Sequence, residues 1–298
     1  MIDRFLFYSV IKGNKVVAFL RTKKLLIDKC KCVKCGGWMN LVRRVKSADG
    51  ETWQCALASC QSNRTSVRIT SVFDGMRASL WKYAVAIYEW CRGSSVESIC
   101  EDAKLGRVTV MHFTSFLRRT TQNWREAIHD EKIGGVGKVV EIDETLIAHR
   151  KFNRGRVVAQ QWLFGGVERE TGKFFVELVP NRSRETLERV LLRRVERGMT
   201  VYSDEWSSYR HISHLGLDHH TVNHSRNFVN PQNGVHTQTV ESLWNRLKRF
   251  FRRRGLTNRS KLDEYLAEFY YRENNEDVFE AILTDIGLQN LVILNHKP

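Results

Sequence analysis

Three widely spaced acids carry the clearest chemical potential in this chain. Asp143 sits in VVEIDETL (139–146), Asp204 ends MTVYSD (199–204), and Glu241 stands in VHTQTVESLWNRLKRF (235–250). Carboxylates gathered from separate elements are a donor set that hard divalent cations take. Two such ions about 3.5–4 Å apart can serve phosphoryl transfer, with one aspartate bridging and the other acids holding one ion each. Each acid also has an ordinary reading. A glutamate in a first helical turn gains from the macrodipole anywhere, and an aspartate ahead of a helix can simply cap it. Their order along the elements that must hold them is harder to obtain by chance.

The stretch around Asp143 reads as a core strand in which Asp143 shares a face with Glu141 and Thr145. A carboxylate there is costly unless it meets a cation or water at an open strand end. Strands over 162–167 and 174–179 follow, and the turn Glu168-Arg-Glu-Thr-Gly172 between them makes a hairpin. A helix over 183–195 shows Leu187, Val190, Leu191 and Val195 on one side. The next strand stops at Asp204, ahead of an expected helix. In the helix bearing Glu241, Val240, Leu243, Trp244, Leu247, Phe250 and Phe251 form the apolar face, and Glu241, Asn245, Lys248 and Arg252 form a neighbouring polar stripe. Strand with acid, hairpin, helix, strand with acid, helix with acid is the order of an RNase H-like domain. The expected fold is therefore α/β, a mixed sheet with flanking helices over 136–256. Glu141, Glu144 and Glu205 remain rival acids on residue logic alone.

Cys32-Val-Lys-Cys35-Gly36-Gly37 has the form of a zinc knuckle, in which a tight glycine turn points backbone amides at two thiolates. Cys55 and Cys60 supply a second, looser pair, with Trp53 and Met39-Asn-Leu-Val42 marking short strands between. Cys32, Cys35, Cys55 and Cys60 are the expected zinc ligands of a ribbon over 1–75, with Cys30 competing for the first place. Seven cysteines, an odd number, favour metal and free thiols over disulfides. Cys91 and Cys100 read as core residues.

A net charge of +15 favours polyanionic partners. Arg246, Lys248, Arg249, Arg252, Arg253 and Arg254 cluster after Glu241, and Arg150, Lys151, Arg154 and Arg156 form a second group. No apolar stretch is long enough to span a bilayer and no basic amphipathic helix argues for a membrane surface. Residues 76–132 read as helical, with Leu80, Tyr83, Ala84, Ile87, Trp90 and Cys91 at helical spacing. Within them, helices over 95–103 and 108–124 flank Leu105-Gly106-Arg107, the pattern of a helix-turn-helix whose second helix carries Arg118 and Arg119. A last helical pair is expected in 257–298.

The motifs VEIDET, HRKFNRGR (149–156), WLFGGVERETGKFFVELVPNRS (162–183), YSDEWSSY (202–209) and VNHSRNFVNPQNGVHTQTVESLWNRLKR (222–249) resemble the Merlin family of cut-and-paste DNA transposases and the bacterial insertion-sequence transposases related to it. The spacing CVKCGG … WQC … C resembles that family's zinc ribbon. The resemblance implies a DDE transposase with Asp143, Asp204 and Glu241 as catalytic triad. It passes over Glu141, Glu144 and Glu205, which are therefore expected to be dispensable. It further implies two catalytic Mg²⁺ (or Mn²⁺) ions, structural Zn²⁺, double-stranded DNA as partner (terminal inverted repeats and target), and a homodimer or higher oligomer on DNA. Arg150, Lys151, Arg154, Arg156, Arg118, Arg119, Lys248, Arg249, Arg252, Arg253 and Arg254 are expected to hold DNA, chiefly by its phosphates. His224 and His236 flank the third acid and could face the scissile phosphate or be ordinary polar residues. A nuclear location is expected, or cytoplasmic in a bacterial host. Two rivals are a domesticated transposase that only binds DNA and an RNase H-like nuclease without strand transfer.

Overall fold

The computed structural model describes residues 1–13, 15–128, 131–147, 161–222, 234–255 and 261–296. Its contacts fall into two compact units, Met1–Glu126 with Glu264–Pro298, and Ala127–Asp263.

The first unit opens with helices α1 (Arg4–Val10) and α2 (Lys15–Thr22). An antiparallel sheet follows, made of β1 (Cys30–Lys31), β2 (Trp38–Arg43), β3 (Glu51–Cys55) and β4 (Arg64–Thr65) in that spatial order. Helix α3 (Leu80–Cys91) is apolar all round and is buried on nearly every side, as such a helix must be in water. Its one buried acid, Glu89, takes Arg4 at 3.1 Å and the Ser94 hydroxyl at 2.8 Å. Helix α4 (Val96–Ala103) starts at Ser95, whose side chain accepts the Ser98 N–H. It stops at Lys104 in the left-handed region, and α5 (Arg107–Ala127) begins after Gly106. The last helices, α8 (Leu262–Asn274) and α9 (Val278–His296), send Tyr271, Phe279, Ile282, Leu283 and Ile286 into the core that α1 to α5 build.

The second unit is a mixed α/β layer around β5 (Val139–Leu146), β6 (Trp162–Glu168), β7 (Phe174–Val179), β8 (Thr200–Asp204) and β9 (Asp218–Val222). Spatially the strands run β7-β6-β5-β8-β9, so β5 is central. It pairs antiparallel with β6, as β6 does with β7, while β5, β8 and β9 are parallel. Helix α6 (Arg184–Arg194) begins at the Ser183 cap and packs Leu187, Val190 and Leu191 against Val140, Ile142 and Val201. Helix α7 (Gln238–Arg253) lies over β5 and β6 and buries Val240, Leu243, Trp244, Leu247 and Phe251. The expected hairpin, helix and acid-bearing strands are all present in order. Two features differ. The segment after Asp204 is not a full helix but two short 3-10 turns, Ser207–Tyr209 and Ile212–Leu215, and it leads to β9, a strand the sequence did not announce.

Candidate active site

The parallel register pairs Val139 with Thr200, Val140 with Val201 and Glu141 with Tyr202. Carried on two residues, the same register sets Asp143 opposite Asp204, just past the end of the paired ladder. Asp204 ends β8, and Asp143 lies level with it where β5 runs on past its last β8 pair and is paired only with β6, so that a ligand can approach where β5 and β8 part. Asp204 spends one oxygen locally, accepting the Trp206 N–H at 2.9 Å in a turn that bends the chain away from the sheet.

Asp143 is mostly buried. Burial first, then the charges of Glu144 and Asp204, push its carboxyl up to about 7, against the pull of the Trp244 N–H and a backbone N–H. Glu144 also rises, through burial and Asp204, while the nearby Tyr209 hydroxyl and Arg182 draw it down. Glu144 Oε1 is buried with no hydrogen-bond partner among the described residues. Neighbouring acids that raise the Asp143 carboxyl to about 7 set up a repulsion that a divalent cation would relieve.

Glu241 stands near the start of α7, one turn before Trp244, and two contacts hold that helix against the sheet. The first is at Glu141. This buried carboxylate accepts the N–H groups of Thr239 and Val240 at 2.7 and 3.1 Å and the Thr239 hydroxyl at 2.9 Å. Thr237, the capping position, makes no side-chain cap of its own, so a strand residue caps α7. Arg169 binds the same carboxylate at 2.6 Å, donates to the His236 carbonyl at 3.1 Å and stacks on Tyr202. His236 Nδ1 lies 3.4 Å from Glu141, so His236 takes part in this anchorage.

The second contact is at Trp244, one turn beyond Glu241, whose indole N–H donates to Asp143 Oδ2 at 2.9 Å. The ring lies over Gly165, the residue paired with Asp143 on β6. A Cβ at Gly165 would come within 2.7 Å of the Trp244 ring and 2.8 Å of the Phe175 carbonyl oxygen. The glycine is what lets α7 sit this close to the first acid. Glu241 itself is exposed, as are Asn245, Lys248 and Arg252 along the same stripe.

Other expected residues fall in different places. Arg249 and Arg253 are exposed, and Arg254 lies over the Phe250 ring. Arg150, Lys151, Arg154, Arg156 and His224 lie outside the described residues. On α5, Arg119 is exposed, whereas Arg118 is buried, 3.4 Å from Glu264 and 4.0 Å from Glu268, with its guanidinium over Tyr265. Arg118 follows Leu117 on the helix face that packs inward, so its charge is matched inside the fold. Glu141, expected from the resemblance to be dispensable, holds the start of α7, a part that the sequence did not show; the places of Arg169 and Gly165 likewise emerged only in three dimensions.

In the first unit the four expected cysteines converge. Cys32 and Cys60 sulfurs are 3.7 Å apart, those of Cys35 and Cys55 are 3.4 Å apart, and all four ligand atoms lie within 4.8 Å of one another. Cys30 is turned away, its sulfur 3.6 Å from that of Met39. Of Cys30 and Cys32, Cys32 is the one that belongs to the cluster. Asn63, absent from the sequence reading, donates to the Cys32 sulfur at 2.8 Å. Among the described residues this is the only such group; Asp143, Asp204 and Glu241 are more widely set.

Residues 134–274 match the model of the ISXO2-like transposase domain. The match covers just under half of the chain and includes all three acids, Glu141, Gly165 and Trp244. A relative from Haemophilus influenzae (strain Rd), an uncharacterized transposase-like protein, is 26% identical over 110 residues, 37% of this chain and 88% of its own. The catalytic core domain of BIV integrase, a solved structure, aligns at 18% identity over 54% of this chain and 84% of that one, with a TM-score of 0.27. So loose a superposition leaves the strand order above as the ground for the fold. The domain match and the transposase-like relative support an insertion-sequence transposase, and hence a DNA-processing enzyme. Among the described residues no helix is long and apolar enough to cross a membrane.

Proposed function

We propose that this chain is a DDE transposase of the cut-and-paste kind, close to the Merlin family and its bacterial insertion-sequence relatives. It cleaves DNA at the terminal inverted repeats of its element and joins the freed 3′ ends to target DNA. The observation that carries this reading is the parallel register that sets Asp143 level with Asp204 just past the last β5–β8 pair, beside a helix that carries Glu241 and is tied to Asp143 through Trp244. The strand order and the two flanking helices support an RNase H-like catalytic unit.

The donor chemistry fits hard divalent cations: oxygen ligands only, mutually repelling, with Asp143 retaining its proton to about 7 when no cation offsets its neighbours. Asp143, Asp204 and Glu241 would hold two Mg²⁺ (or Mn²⁺) ions, which when bound activate the attacking oxygen and stabilise the leaving one. The chain does the positioning. Glu141 and Arg169 fix the start of α7, Trp244 orients Asp143, and Lys248 and Arg252 continue from Glu241 in one stripe along the same helix toward DNA phosphates, with Arg249 and Arg253 exposed beside that stripe.

The first unit is read as the DNA-recognition part. A tetrahedron of thiolates around Zn²⁺, with Zn–S about 2.3 Å, has edges of about 3.8 Å, which the two measured sulfur separations approach. Cys32, Cys35, Cys55 and Cys60 on short antiparallel strands thus fit a zinc ribbon. Helices α4 and α5 fit a helix-turn-helix, with Val108, Met111, His112 and Arg119 exposed on the second helix. A dimer or larger assembly on paired element ends follows from the need to join two ends.

The test is a cleavage and strand-transfer assay on duplexes carrying the element's ends. Wild type should cleave and transfer in Mg²⁺. Asp143→Asn, Asp204→Asn and Glu241→Gln should each lose at least about 10²-fold in cleavage and still bind DNA. Cleavage at the wild-type rate by any of the three would sink the assignment, and cleavage without transfer would favour the nuclease.

A further inference from the structure

Beside the acids lies a cation whose setting the reading above does not use. Arg182 occupies the loop between β7 and α6, and its guanidinium carbon is 4.0 Å from the centre of the Trp162 ring and 4.2 Å from that of Trp206. The guanidinium thus lies over two indole rings at once. Its backbone is fixed as well, the carbonyl accepting from the Ser208 hydroxyl at 2.8 Å and from the Trp206 indole N–H at 3.5 Å.

Both clamping residues are tied to the acid site. Trp162 begins β6 and is paired with Leu146 at the far end of the strand that carries Asp143. Trp206 donates its backbone N–H to Asp204. The positive charge is felt at Glu144, next to Asp143. Two indoles against one guanidinium supply cation–π attraction and restrain the side chain, and its N–H groups can still donate hydrogen bonds. A planar fork with its orientation fixed and its charge retained is the geometry that meets the oxygens of a phosphate in pairs.

We propose that Arg182, clamped between Trp162 and Trp206, binds the non-bridging oxygens of one DNA backbone phosphate at or next to the scissile bond. This deepens the transposase reading and rests on it for the identity of the ligand as DNA. The acids would be metal ligands on one side of the bound strand, and Arg182 would hold the strand from its own side. Trp206 remains 36% exposed, so the clamp lies at the surface where a strand can arrive. A role confined to offsetting the charge of Glu144 would need the guanidinium nearby but not seated against two indoles.

The experiment compares wild type, Arg182→Gln, Arg182→Lys and Trp206→Leu on end-bearing duplexes in two readouts. Phosphate-ethylation interference in Ca²⁺ reads binding, and cleavage in Mg²⁺ of duplexes with single neutral methylphosphonates reads the reaction. Wild type should show interference at one phosphate beside the cleavage position that Arg182→Gln lacks. Arg182→Gln should cleave unmodified DNA about 10- to 100-fold more slowly, the scale of one charge-assisted contact, and lose nothing further with the methylphosphonate at that position. Arg182→Lys, which keeps the charge and the fold but not the fork, should recover only part of the rate, and Trp206→Leu should keep the interference position with a weaker signal. If Arg182→Gln and Arg182→Lys keep the full interference pattern, or if their losses and the methylphosphonate losses simply multiply at every position, the proposal is overturned while the transposase reading stands. If the interference difference is seen but wild type does not cleave, the phosphate site stands and the proposed chemistry falls. If wild type neither binds nor cleaves DNA, both fall.

Discussion

Changing Asp143 to asparagine should stabilise the metal-free protein, and by more as pH rises. Burial, Glu144 and Asp204 raise the Asp143 carboxyl to about 7, whereas an unfolded chain gives up that proton near 3.9. Between about pH 4 and pH 7 the folded state therefore binds more protons than the unfolded one, so stability falls as pH rises through that window and the full cost is present above it. A displacement of that size corresponds to about 4 kcal/mol at its limit. Relaxation and solvent around a partly accessible group reduce the expected gain to about 1–3 kcal/mol at pH 8, with about 1 kcal/mol or less at pH 5. Asparagine can still accept the Trp244 N–H through its carbonyl oxygen, so the seat of α7 is kept. Hydrogen exchange at amides of β5 and β8, in EDTA at pH 5 and pH 8, reads this unit apart from the other. Adding Mn²⁺ should then stabilise wild type and not Asp143→Asn. A difference that is the same at both pH values, or a variant less stable than wild type at pH 8 in EDTA, would refute the picture of mutually repelling carboxylates awaiting a cation.

Glu141→Gln places an amide N–H₂ among donors and weakens the pairing with Arg169, so it should cost about 3 kcal/mol and slow cleavage at least about tenfold by loosening α7; denaturation and single-turnover cleavage measure the two, and wild-type values in both would remove Glu141 from the account. Gly165→Ala should cost about 1–3 kcal/mol through the clash with Trp244, and a Trp244→Leu change in the same chain should give part of it back; no recovery would mean the strain lies at Phe175 instead. Cys60→Ser should empty the zinc site, read as about one zinc per chain in wild type and none in the variant, while Cys30→Ser should keep the metal; the reverse outcome would return Cys30 to the ligand set.

Much of the catalytic unit was legible because its signals are local. Alternation of Val140 and Ile142 with acids marks β5, the turn Glu168–Gly172 between two apolar runs marks β6 and β7, helical spacing of Leu187, Val190 and Leu191 marks α6, and one strongly amphipathic run marks α7. Strand β9 escaped notice because DHHTV has no apolar alternation: it borders the sheet with only Val222 buried. The stretch after Asp204 imitates a helix start, yet its aspartate caps a tight turn rather than a helix. Arg118 shows the reverse error of emphasis. Its place after Leu117 on an inward face was readable, but its partners Glu264 and Glu268 lie far along the chain. The same distance hid Glu141, an acid that sequence could not separate from Asp143 until α7 was seen to rest its first N–H groups upon it. It also hid the clamp on Arg182, whose two tryptophans come from different elements.

The central claim is that Asp143, Asp204 and Glu241 share one metal pair. A crystal structure of the protein with a cleaved DNA end and Mn²⁺, with anomalous scattering recorded, tests it most directly. Two manganese peaks about 3.5–4 Å apart are expected, one aspartate bridging both, with Glu241 and the other aspartate each holding one. Peaks ligated by Glu144 in place of Glu241, or manganese bound away from these carboxylates, would contradict it.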